Sequence, residues 1–183
     1  MIDYSTVQSA LHTWVSGRTG LTTIWARQNG ARPVGDFATL DLRIGGDARD
    51  WAVTEDNPTP SAGQEIQHVS KGLRKGVLTV QIFGTSVVGS TQPSALLDDL
   101  KASLPLPSVR DALSAAKIGV YSFGQVLDLS AIIQSSDIES RASMEINMNL
   151  VSEILEYGTY ISIVDATNEI ADPDTSVVID GGV

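Results

Sequence analysis

The sequence predicts an α+β domain: a mainly antiparallel β-sheet with two or three α-helices packed on one face, and a projecting β-hairpin. Three observations carry that reading. Period-two alternation recurs along the chain. It is cleanest from Asp137 to Leu150, where Ile138, Ala142, Met144, Ile146, Met148 and Leu150 alternate with Glu139, Arg141, Ser143, Glu145, Asn147 and Asn149, only Ser140 interrupting the apolar face. Alternation of this kind marks a strand with one buried face. Amphipathic helical stretches separate the strand runs without a repeating βαβ order, which favours helices gathered on one side of a sheet. Finally, 183 residues, 42% of them hydrophobic, make one core of ordinary size rather than two. The domain is expected to span residues 1–165, with 166–183 a flexible acidic tail.

The first helix is expected over residues 5–16. Ser5 and Gln8 have capping-box spacing, and Val7, Ala10, Leu11, Trp14 and Val15 share one face. Gly17 offers a left-handed stop. His12 lies at the edge of the apolar stripe. A short strand, Thr22 to Ala26, leads into a polar loop, Arg27 to Gly35, punctuated by Asn29-Gly30 and Pro33. From Phe37 to Ile44 the chain alternates again, Ala38, Leu40, Leu42 and Ile44 against Thr39, Asp41 and Arg43. Trp51 to Glu55 extends the sheet, and the two prolines within residues 57–63 interrupt it. Gln64 to Leu73 and Val77 to Gly84 are expected as neighbouring strands turned by Lys75-Gly76.

A helix follows from Pro93 to Ser103, with Leu96, Leu97, Leu100 and Leu104 as its stripe; Pro105 and Pro107 close it. Ser108 is expected to cap a shorter helix through Ala116. Strands at 118–122, 126–129, 137–150 and 159–164 complete the sheet. With the helices on one face, the other face is left to a partner or to water.

Composition excludes several chemistries. There is no cysteine, so disulfides, thiolate metal sites and cysteine nucleophiles are ruled out. The only histidines are His12 and His68, and His68 is expected to be an exposed spectator. Gly84 to Gly89 is one residue too long for a nucleophile elbow. Asp98 and Asp99 are adjacent on a helix, about 100° apart, and do not converge. Asp172, Asp174 and Asp180 lack the glycine and glutamate positions of a calcium loop. No catalytic residue, cofactor or metal site is therefore expected, and the protein is read as not an enzyme. No apolar run approaches the roughly 20 residues of a membrane helix, and the first residues lack signal-peptide order, so no membrane partner is expected. Charge is uneven: residues 1–91 hold 8 Lys/Arg and 8 Asp/Glu, whereas 92–183 hold 4 and 14. An acidic half repels phosphates and argues against nucleic-acid binding on that surface.

The stretch Ile24 to Leu40, IWARQNGARPVGDFATL, carries the most information. An apolar strand ends in Trp25, a short polar loop contains Asn29, an Arg32-Pro33-x-Gly35 turn follows, and Phe37 opens the next strand. This resembles phage neck and tail-terminator proteins. The flanking order is similar too: an amphipathic helix ending in glycine before it, then an alternating strand, a leucine-rich helix and an Arg-containing strand after it. Two departures stand out, Asp36 where the family often has proline, and a tail beyond Asp165 without a counterpart.

The resemblance implies a structural virion protein, assembled in the bacterial cytoplasm and sited in the tail neck. Its expected form is a homohexameric ring that ends tail-tube polymerisation and docks the tail to the head connector. The implied partners are further copies of the chain, the tube protein, connector or neck proteins and, as a further candidate, the sheath. DNA would pass through the lumen without specific binding. The candidate interface residues are Arg27, Asn29, Arg32, Trp51, His68, Lys71, Arg74 and Lys75. For Arg27, Asn29 and Arg32, turn geometry and loop solvation are the competing reading. Another neck or tail component, or an enzyme with an unrecognised pocket, remains open as an alternative.

Overall fold

The structure is a computed structural model that describes residues 2–28, 30–55, 66–85, 92–134 and 137–158. Helix α1 (Tyr4–Thr19) starts one residue earlier than the sequence spacing predicts and ends three later. Its N-cap is Asp3, not Ser5. The Asp3 carboxylate accepts the Thr6 hydroxyl at 2.7 Å and the Thr6 N–H at 3.1 Å. These two bonds hold the carboxyl below its ordinary range. Gly17 does not stop the helix; Gly20 does, at φ 68°, with its N–H on the Ser16 carbonyl.

Strand β1 (Thr22–Trp25) runs parallel to β2 (Phe37–Glu55), with Thr22 opposite Phe37 and Trp25 opposite Leu40. Strand β3 (Ile66–Thr85) corrects the expected turn at Lys75-Gly76, because it passes straight through both residues. Gly76 is there for packing. A Cβ on it would meet Met148 Cγ at 3.3 Å and Leu150 Cδ1 at 3.4 Å, so those side chains would have to give by a few tenths of an ångström to admit one.

Helix α2 (Pro93–Ser103) matches its expected bounds, and α3 (Pro107–Ala115) follows. Ser108 does not cap α3: Leu106 occupies the N-cap without a side-chain bond, and Pro107, with its φ preset, starts the helix. Strands β4 (Ile118–Phe123), β5 (Leu127–Asp128) and β6 (Ala131–Gln134) all pair antiparallel with the long β7 (Asp137–Gly158). The sheet order is β1-β2-β3-β7-β4, with β5 and β6 continuing the β4 edge along β7. The result is α+β, with a mostly antiparallel mixed sheet and three helices among the described residues.

By contacts the chain falls into two compact units, Met1–Trp51 with Lys71–Glu153, and Ala52–Ser70 with Ile154–Val183. The apolar cluster shared by the three helices lies wholly in the first, and Val69 of the second is fully buried as well. Leu11, Trp14 and Val15 of α1, Leu97 and Leu100 of α2, and Val109 and Leu113 of α3 pack on Ala38 and Leu40, Leu78 to Ile82 at alternate positions, and Ala142 to Leu150 at alternate positions. Met144, Ile146 and Met148 are buried, as the alternation predicts. Trp14 is also tied by a polar bond, its Nε1–H donating to Ser103 Oγ at 3.0 Å. The turn-rich segment at 57–63, the strand expected at 159–164 and the tail from 166 lie outside the described residues.

Candidate interface surface

All three helices feed one apolar cluster, so they cover one face of the sheet. Alternation then sends Phe37, Thr39, Asp41 and Arg43 of β2, Thr79, Gln81 and Phe83 of β3, and Arg141 to Asn149 at odd positions of β7 to the opposite face. Apart from Phe37 and Phe83 those side chains are polar. The face expected to need a partner or water is thus built for a polar environment over most of its area.

The two phenylalanines are covered by the β1–β2 loop. Their rings stack at 4.7 Å and 6°. The Arg32 guanidinium sits 5.2 Å from the Phe37 centroid and 5.4 Å from that of Phe83, and its ion pair with Glu139 reaches across to β7. Arg141 lies 4.8 Å from the Phe83 ring and donates to Gln81 Oε1 at 2.6 Å. Arg32 is therefore a clasp holding the loop onto the sheet, and Pro33 and Gly35 (φ 84°) turn the chain into Phe37. Arg141 Nε and Thr79 Oγ1 are buried beneath this region without a hydrogen-bond partner.

The clasp has a measurable consequence. Arg32→Ala removes two exposed cation–π contacts and one exposed ion pair, together about 1–2 kcal/mol. For a chain of this length the melting temperature should fall by roughly 3–6 °C. Arg32→Lys should recover only part of that, because an ammonium cannot lie flat on both rings. Equal melting temperatures for all three proteins in a calorimeter would show that the loop is not held this way.

The other candidate residues are dispersed. Arg27, at φ 68° and 75% exposed, bonds Asp41 at 3.3 Å, and Arg43 bonds the same carboxylate at 3.1 Å. Lys71 lies 3.8 Å from Glu153, which also pairs with Lys117; the Lys117 bond holds the Glu153 carboxyl below its usual range. Lys75 is exposed, Arg74 is half-buried, and His68 is half-buried, not exposed. Trp51 belongs to β2, and Asn29 lies outside the described residues. The structure brings Arg32 together with Phe37, Phe83, Glu139 and Arg141, a cluster that spacing alone did not reveal.

The two edges of the sheet differ. At the β1 edge, His12 Nε2 lies 3.0 Å from the Thr23 carbonyl, and since a carbonyl only accepts, this nitrogen carries the proton. At the other edge, β4 has a bulge that leaves Tyr121 without a partner between Val120 and Ser122, and Tyr121, Phe123, Leu127 and Leu129 are 42–54% exposed. Beside β4 runs a groove of about 540 Å³ floored by Leu104, Leu113 and Ile118. A second groove, about 640 Å³ between α1 and α3, is lined by small residues that include Ser9, Thr13, Gly17 and Ala112. Among the described residues no cluster of three His, Asp or Glu side chains could hold a metal ion, and no helix is long and apolar enough to cross a membrane.

A family model described as phage neck terminator protein matches residues 5–178. The chain belongs to the phage neck terminator family. Comparison with curated proteins yields no match. The neck terminator family is a structural one and not an enzyme class, and membership makes the chain a component of the virion neck. The match continues through residue 178, so the segment beyond Asp165, expected to lack a counterpart in the family, is largely covered by it. The Arg-Pro-x-Gly turn of this neck terminator lies within the match, and Arg32 is the side chain that fastens its loop.

Proposed function

We propose that this neck terminator assembles as a homohexameric ring on the head-proximal end of the tail, stops tube polymerisation there and docks the tail to the head connector. The family match carries the proposal. The unequal sheet edges support it. Among the described residues the β1 edge is short and the β4 edge apolar and unpaired; such edges are not self-complementary, and contacts between unlike surfaces close into rings when the angle allows. Arg27, Asn29, Arg32, Trp51, His68, Lys71, Arg74 and Lys75 are proposed contacts with neighbouring copies, the tube, the connector or the sheath. The acidic second half keeps the lumen from retaining DNA. Assembly takes place in the host cytoplasm.

The test is a phage in which this gene is interrupted, viewed by electron microscopy beside the purified protein. Overgrown tails unattached to filled heads, and closed rings from the protein, are expected. Tails of normal length joined normally to heads would reject the terminator role, and long filaments from the pure protein would point to a tube subunit.

A further inference from the structure

We infer that the groove beside β4 receives residues 174–180 of a neighbouring copy as a strand added to the open edge of the sheet. From the proposed ring this takes only that copies lie side by side. Three observations lead to it.

The first is the groove. Leu104, Leu113 and Ile118 are 4–8% exposed on its floor, whereas Tyr121 and Phe123 on β4 are 54% and 44% exposed. An open strand edge lined with exposed aromatic side chains is a template for another strand and a liability if left bare. The β1 edge offers no equivalent, because it is four residues long and His12 holds one of its carbonyls.

The second is charge. Of the 4 Lys/Arg in residues 92–183, three stand around this groove. Arg110 lines it beside Asp111, Lys101 lies 4.8 Å from the Phe123 ring, and Lys117, which pairs with Glu153, directly precedes β4. Residues 159–183 carry five Asp/Glu and no Lys or Arg. Within them, Asp174-Thr-Ser-Val-Val-Ile-Asp180 is a β-branched run with a carboxylate at each end, which suits strand pairing over an apolar floor with cations at the rim.

The third is reach. From Gly158 to Asp174 the chain can extend about 53 Å. A globular domain of this length is typically about 40 Å across. The segment is long enough to reach the next copy.

The lack of cysteine makes the test direct, since any disulfide must come from the two thiols introduced. In the full chain carrying Tyr121→Cys and Val178→Cys, mild oxidation should give a ladder of covalent oligomers on a non-reducing gel, because a bridge needs Cα atoms about 4.4–6.8 Å apart. Glu145→Cys, on the opposite face of the sheet, paired with Val178→Cys should give none. Adding Asp174→Lys and Asp180→Lys to the first pair should cut the cross-linked yield several-fold. A bridge confined to single chains, no bridge, an equal ladder from the Glu145 control, or a yield indifferent to charge would each overturn the inference. Closed rings by microscopy without the ladder would sink this inference and leave the ring standing. The ladder without closed rings would support it and sink the ring.

Discussion

Met144→Asp should leave no soluble, folded protein. Met144 is 1% exposed near the middle of β7, which lies between β3 and β4, and its neighbours on the same face, Ala142 and Ile146, are equally enclosed. All three helices close over that face. A carboxylate placed there has no water and no cation, and even its neutral form leaves polar atoms unsatisfied, at a cost of several kcal/mol. Total stability of a domain is about 5–15 kcal/mol, and the lost methionine packing adds to the deficit. Met144→Leu keeps volume and polarity and should cost less than about 1.5 kcal/mol. Soluble yield and thermal melting of the pair decide it. Met144→Asp that is soluble and melts like the parent would mean that β7 does not form the centre of the core.

The sheet was legible where one physical signal dominated. Period two in β7 survives for fourteen residues because one face meets helices and the other a polar environment, so burial alone dictates the pattern. The same logic located α2 to the residue. It failed where a glycine had two possible meanings. The sequence suggests a helix stop at Gly17 and a turn at Gly76, yet Gly17 lines a groove between helices and Gly76 lies against Met148 and Leu150. Local sequence cannot separate a glycine needed for backbone angle from one needed for lack of a side chain. Gly20 and Gly35, both at positive φ, are of the first kind. The N-cap was misassigned for a similar reason: Asp3 and Ser5 are both good caps, and the longer reach of the core stripe toward Ile2 decides between them.

The interface residues were less legible. Arg32 was singled out by its turn, and spacing could show neither the stacked rings beneath it nor Glu139, 107 residues away. What the sequence did contain was the pair Phe37 and Phe83 on β2 and β3, beside the polar outward residues Thr39, Asp41, Thr79 and Gln81. Two aromatic side chains on a polar face ask for a cover, and the nearest loop with a guanidinium supplies it. The edge strand β6 had no signal of its own, because an edge strand borrows its conformation from its partner, here β7.

Replacing residues 52–70 with Asn-Gly should separate folding from assembly. The apolar cluster shared by the three helices lies entirely in the unit formed by Met1–Trp51 and Lys71–Glu153, and among the described residues Val69 is the one fully buried side chain that the replacement removes. Trp51 and Lys71 belong to neighbouring strands β2 and β3, and Asn-Gly readily reverses the chain between such strands. The shortened chain should therefore keep its helical and strand signals and melt cooperatively. What it loses includes His68, proposed above as a contact. In a phage carrying the replacement, tails should overgrow or fail to join filled heads, and infective yield should fall by orders of magnitude. The two readouts separate the explanations. A protein that no longer melts cooperatively would show that residues 52–70 belong to the folding unit. A folded protein supporting normal tails and normal yield would show that assembly does not use this segment, and the subunit contacts would then have to lie on the sheet face and edges of the first unit.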